Sequence, residues 1–189
     1  MRALERSHSA VVNLFLEHEG SDIRIVNRDR DTALHIAVWQ NNSDCFAKLL
    51  ARCDSGMVNH QDNATRTPLY WAASLSMECV RLLISDDRTD PNIRADYNIF
   101  RDTPLTLAVK CHHVEIVELL IRDKRTDPNI KDYSDGDTPL MLAIKENLED
   151  CVKLILSDPR VDLGCESIEE GHPELVKLVE QERLRRREA

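Results

Sequence analysis

Large rings are scarce in this chain. Three Phe, two Trp and three Tyr are its only aromatic side chains among 189 residues. A core of stacked rings is therefore excluded, and small aliphatic side chains must fill the interior. Only five glycines occur, and none is grouped into a loop that could cradle a phosphate. No run approaches the roughly 20 apolar residues of a membrane-spanning helix. The opening residues, Met1 through Arg6, lack the apolar centre of a secretory leader. Positive charge is in the minority, with 25 Lys and Arg against 34 Asp and Glu and a net charge of −9. That balance argues against a general nucleic-acid binder, whose affinity comes from neutralising phosphates. The expectation is a soluble, intracellular protein, cytoplasmic or nuclear.

What the chain does have is one phrase written four times. It reads Thr32-Ala33-Leu34-His35-Ile36-Ala37, Thr67-Pro68-Leu69-Tyr70-Trp71-Ala72, Thr103-Pro104-Leu105-Thr106-Leu107-Ala108 and Thr138-Pro139-Leu140-Met141-Leu142-Ala143. The threonines lie 35, 36 and 35 residues apart, a period characteristic of stacked-repeat architectures. A Thr hydroxyl can accept from an amide of the first helical turn. A Pro in the next position gives up only an amide that has no helical partner, and its φ already suits a helix. The small residues that follow give each short helix a face narrow enough for close stacking.

The phrase resembles the signature of the ankyrin repeat, and the resemblance covers nearly the whole chain. It implies an all-α repeat solenoid of helix-turn-helix pairs joined by β-hairpin-like fingers, forming a single domain over 1–189. The expected layout is a half repeat at 1–21, full repeats at about 22–56, 57–89, 90–126 and 127–161, and a terminal helix in 162–189. Within the repeats the helices are expected near 33–40 and 43–52, 68–75 and 77–86, 104–111 and 114–122, and 139–146 and 149–157. The N-terminal stretch from Ser7 to Leu16 reads as a second helix without its first, which suggests a fragment of a longer array. Residues 166–187 read as a helix lying on the fourth repeat.

Finger length is the most individual feature. The finger before Thr138 has one extra residue, and the finger before Thr103, Ala95 through Asp102, has about three. Three turns after the second helices are long and charged: Asp87-Arg88-Thr89, Lys124-Arg125-Thr126 and Pro159-Arg160-Val161. Cys45, Cys79 and Cys151 fill equivalent second-helix slots. Adjacent repeats would separate them by about 8–10 Å, beyond the roughly 7 Å Cα limit of a disulfide. They are expected to be reduced, buried, small hydrophobes.

Chemistry has little foothold. Cys111-His112-His113 has metal-ligand composition, but neighbours on a helix diverge and no second ligand group stands at zinc spacing. Asp127 through Asp137 has calcium-loop composition, yet Asp132 stands where that loop needs Gly. Neither metal nor cofactor is expected, and no catalytic triad is visible.

The resemblance implies a non-catalytic, monomeric scaffold that binds a protein, not nucleic acid, membrane or a small-molecule substrate. Partners of this family usually bind the concave groove made by the fingers and the exposed side of each first helix. The variable groove and finger positions fall here on Trp39, Gln40, Tyr70, Leu75, Lys110 and Lys145, and on Tyr97, Ile99, Phe100, Arg101 and Tyr133. Aromatic residues and Arg most often carry interface energy. Two other roles fit the resemblance: a spacer within a longer array, and a substrate-recruiting arm of a larger complex such as a ubiquitin ligase. Asn92 and Asn129 are similar to finger asparagines that intracellular hydroxylases modify in this family.

Overall fold

The computed structural model describes residues 22–97, 100–132, 135–164 and 172–188; Tyr97, Phe100 and Arg101 are described by their backbone alone. The expected half repeat at 1–21 and the finger-tip residues Ile99 and Tyr133 lie outside the described residues.

Each copy of the phrase opens a helix. These first helices are α1 (Ala33–Trp39), α4 (Pro68–Leu75), α6 (Pro104–Lys110) and α8 (Pro139–Lys145). In all four the Thr hydroxyl accepts from the amide three residues on, namely His35, Tyr70, Thr106 and Met141. The second helices are α2 (Ser43–Arg52), α5 (Met77–Ile84), α7 (Val114–Arg122) and α9 (Glu149–Leu156). First helices stack on first helices and second on second, so the protein is a two-layered array of helix pairs.

The turn inside each pair depends on a left-handed residue. Asn41, His112 and Asn147 hold equivalent positions with φ of 48°, 59° and 56°. In the second repeat one residue is missing, and Ser76 both ends α4 and begins α5. His112 is thus the apex of a turn. Its neighbour His113 places Nδ1 3.2 Å from the Ala73 carbonyl of the preceding repeat.

The core is as small-chained as the composition requires. Leu34, Ile36, Leu69, Leu83, Leu105, Leu120, Leu140, Ile144 and Ile155 are fully buried, with Phe46 the one large ring among them. Cys45, Cys79 and Cys151 are buried and unoxidised, and burial pushes each thiol up from its ordinary value.

One element lies outside the expected layout. A short helix, α3 (Ser55–Val58), is capped by Asp54 in the turn after α2. The lengthened finger forms a two-stranded antiparallel hairpin, β1 (Ala95–Tyr97) with β2 (Phe100–Asp102), pairing Ala95 with Asp102 and Tyr97 with Phe100. The terminal helix α10 is described from Pro173 to Glu188 and packs on α9, burying Leu175 and Val179. Residues 165–171, which include the expected start at 166, lie outside the described residues; Pro173 has no amide to donate and sits naturally in a first turn.

Candidate functional site

The open side of the first-helix layer divides into two unlike halves. In repeats one and two it is aromatic. Trp39, the last residue of α1, packs edge-on against Trp71 of α4, with ring centroids 5.3 Å apart and planes at 87°. Tyr70 meets Trp71 at 6.5 Å, also edge-on. Arg66 lays its guanidinium 4.2 Å above the Trp71 ring. The Arg66 Nε also donates to the buried Asp62 carboxylate at 2.8 Å, and Trp71 Nε1 donates to the same oxygen at 3.2 Å. Burial raises the Asp62 carboxyl, but hydrogen bonds from Arg66, Trp71 and Ala64 outweigh it and hold the carboxyl below its ordinary value. Despite these contacts Trp39 remains 40% exposed, and Leu75, at the end of α4, 49% exposed. Tyr70 is half-buried, and burial together with nearby Asp102 pushes its phenol up to about 12.

In repeats three and four the same positions carry ion pairs. The residue before each Thr cap is Asp102 or Asp137, and the residue that ends each helix is Lys110 or Lys145. Lys110 Nζ lies 2.8 Å from Asp102 and 3.4 Å from Asp132, and Lys145 Nζ lies 2.5 Å from Asp137. These carboxylates are buried and the lysines only partly so. Burial lowers the Lys110 ammonium, but its two aspartates overcome this and raise it.

His35 joins the layers of the first two repeats. It is buried, its Nδ1 accepts from the Thr32 amide at 3.2 Å, and its Nε2 donates to the Arg66 carbonyl at 3.0 Å. Those bonds fix the neutral tautomer protonated at Nε2. Burial pushes its pKa down to about 4. His60 stands edge-on to it at 6.3 Å.

A second set of side chains was not anticipated from the sequence as a unit. The charged turns after the second helices form a ladder of arginines along one edge of the stack. Arg88 donates to the carbonyls of Leu50 and Cys53. Arg125 donates to those of Ile84, Asp86 and Thr89 at 2.6–3.2 Å. Arg160 reaches Ile121, Lys124 and Thr126 at 2.7–2.9 Å. Each guanidinium thus binds the exposed carbonyl end of the preceding repeat's second helix, which also carries the negative end of the helix dipole. Each is held in place by an aspartate two residues before it, Asp86, Asp123 or Asp158. Hydrogen bonds from Arg88 hold the Asp86 carboxyl below its ordinary value.

The last rung comes from the terminal helix. Arg186 donates to the carbonyls of Leu156, Asp158, Pro159 and Val161 at 2.8–3.2 Å and pairs with Glu182. Beside the arginines runs a row of asparagines. Asn59, Asn92 and Asn129 each donate to the carbonyl of Arg88, Arg125 or Arg160 and accept from the amide of Asp90, Asp127 or Asp162. The signal was present in the repeated Asp-x-Arg spelling of residues 86–88, 123–125 and 158–160.

Of the residues singled out from the sequence, the fold brings Trp39, Gln40, Tyr70 and Leu75 onto the aromatic half, through the ends and faces of α1 and α4. It places Lys110 and Lys145 on the other half, each engaged with finger aspartates. The strands of the long finger carry Tyr97, Phe100 and Arg101. Among the described residues no helix is long and apolar enough to cross a membrane.

Comparison with known proteins agrees with this architecture. A family model described as ankyrin repeats (3 copies) matches residues 1–95 and 88–167. The human neurogenic locus notch homolog protein 1 is 35% identical over 107 residues, 56% of this chain. Its zebrafish counterpart is 33% identical over 109 residues, 57% of this chain. Each match spans 4% of the relative's own length. With the repeated phrase, the stacked helix pairs and the matching family model together, this chain belongs to the ankyrin-repeat family.

Proposed function

We propose that the protein is a non-catalytic scaffold, working inside the cell, that binds a protein partner through the open face of its first helices and fingers. Ankyrin repeats are in general protein–protein interaction modules and typically non-catalytic. The observation that carries the reading is the exposed pair Trp39 and Leu75 on a layer whose other apolar side chains are mostly buried. An aromatic held rigid by its neighbour loses little entropy on binding, which favours affinity. The contact surface in this reading runs over Trp39, Gln40, Tyr70 and Leu75, along the long finger at Tyr97, Ile99, Phe100 and Arg101, and on to Lys110, Tyr133 and Lys145.

Capture of partners on immobilised protein, followed by mass spectrometry, tests it. The double variant Trp39→Ala with Leu75→Ala should lose the captured proteins, whereas Lys153→Ala on the outer side of α9 should keep them. Equal capture by all three proteins would refute the groove as the binding surface.

A further inference from the structure

The two halves of the groove differ by one missing cation. In repeats three and four the aspartate before the Thr cap is answered by a lysine eight residues on, Asp102 by Lys110 and Asp137 by Lys145. Repeat one keeps the aspartate, Asp31, and replaces the lysine by Trp39. Asp31 is 1% exposed. One carboxylate oxygen accepts from the neutral Asn27 side chain at 2.8 Å, and the other, Oδ1, has no hydrogen-bond partner. Among the described residues no cation pairs with it. Its charged surroundings are Asp62, Asp29 and the more weakly felt Arg66, which stays with Asp62 and Trp71. Burial, reinforced by those two acids, raises the Asp31 carboxyl above its ordinary value, whereas Asp62 beside Arg66 is held down. A buried carboxylate without a cation is costly, and Trp39, eight residues on, where repeats three and four have lysine, is 40% exposed and carries an indole of the kind that attracts cations.

We propose that the partner supplies the missing cation: a lysine or arginine side chain, flanked by apolar residues, laid along Trp39 toward Asp31 in the slot that Lys110 and Lys145 fill from within the chain. The apolar flanks meet Leu75 and the Trp39–Trp71 pair, and the cation enters between Trp39 and the first finger. The net charge of −9 favours the approach of a basic segment to the protein. This inference rests on the groove reading above, and the test separates the two.

The probes are three end-capped peptides, Gly-Leu-X-Leu-Gly, in which X is lysine, norleucine or glutamate. Binding is read by the emission of the two tryptophans, Trp39 and Trp71, and by calorimetry. The wild-type protein should bind the lysine peptide about tenfold more tightly than the norleucine peptide, as one desolvated cation contact would give, and the glutamate peptide least. Asp31→Asn, which preserves shape, should bring the lysine and norleucine peptides to near-equal affinity. Trp39→Lys, which restores the pattern of repeats three and four, should raise the unfolding temperature and lose the lysine preference. Equal affinity of the wild-type protein for lysine and norleucine peptides, or no saturable binding of the lysine peptide, overturns the proposal. So does a lysine preference that survives Asp31→Asn. If in those cases Trp39→Ala still abolishes partner capture, the groove reading stands alone; if it does not, both fall.

Discussion

The two edges of the stack use cations in opposite ways. Along the ladder edge every arginine is bound by backbone of the neighbouring repeat, so its position follows from the stack and hardly varies from copy to copy. On the groove face the lysines are bound by carboxylates of the fingers, and that arrangement changes between repeats: ion pairs in three and four, a tryptophan in one, an arginine stacked on an indole in two. Repetition marks what holds the array together. Departure from repetition marks where, in the proposed reading, a partner would be distinguished.

Acid should separate the two edges most sharply, because arginines do not titrate whereas His35, the latch between repeats one and two, does. The folded state keeps His35 neutral at a pKa of about 4, against 6.5 when unfolded. Its contribution is therefore fully present above pH 6.5, falls as the pH drops through that value, and is gone by about pH 4. The difference corresponds to about 3 kcal/mol. Denaturant unfolding measured from pH 7 to 4 should show this loss, and His35→Gln should flatten that part of the profile.

Next in size is the ladder itself. Arg125→Ala removes three charge-assisted bonds to carbonyls and frees Asp123, and should cost about 2–3 kcal/mol after allowance for a side chain one-third exposed. Urea unfolding would measure it, and peptide binding at the groove should be unchanged. Asn92→Ala breaks the bonds to the Arg125 carbonyl and the Asp127 amide and should cost about 1–2 kcal/mol, read in the same way.

The smallest effects have opposite signs on the two edges. Thr89 and Thr126 are buried at the ladder with hydroxyls that find no partner, and the equivalent residue in the fourth repeat is Val161, also buried. The double change Thr89→Val with Thr126→Val should therefore stabilise by about 1 kcal/mol, visible as a higher unfolding temperature. Trp39→Ala, on the groove face, should destabilise by about 1 kcal/mol through the lost edge-on contact, a small cost beside its expected effect on binding. A much larger loss would make Trp39 a structural residue and blur the contrast between the edges.

Much of this was legible in the chain, and the reasons are local. The threonine caps, the proline first turns and the short aliphatic core follow from side-chain chemistry within one repeat, so four copies of one phrase were sufficient to place eight helices to within two residues. Lys110 and Lys145 were recognisable as groove residues by position. Their engagement with Asp102, Asp132 and Asp137 was not, because those bonds join a helix end to fingers 8 or 22 residues away along the chain only through the turn geometry. The partners of the arginines in the charged turns were not legible, since nothing in an isolated turn shows which carbonyls lie above it.

The sequence by itself determined the repeat, its period, the helix starts and the composition of the core, because each depends on contacts within a helix or its cap. Only the tertiary structure decided which charges are used up. Stacking brings residues some 35 positions apart within hydrogen-bonding distance, so it alone shows that Arg88, Arg125, Arg160 and Arg186 are committed to their neighbours' carbonyls. It alone shows that Asp31 lies buried beside Asn27 with no cation of the described residues paired to it, whereas lysines answer Asp102 and Asp137 in repeats three and four.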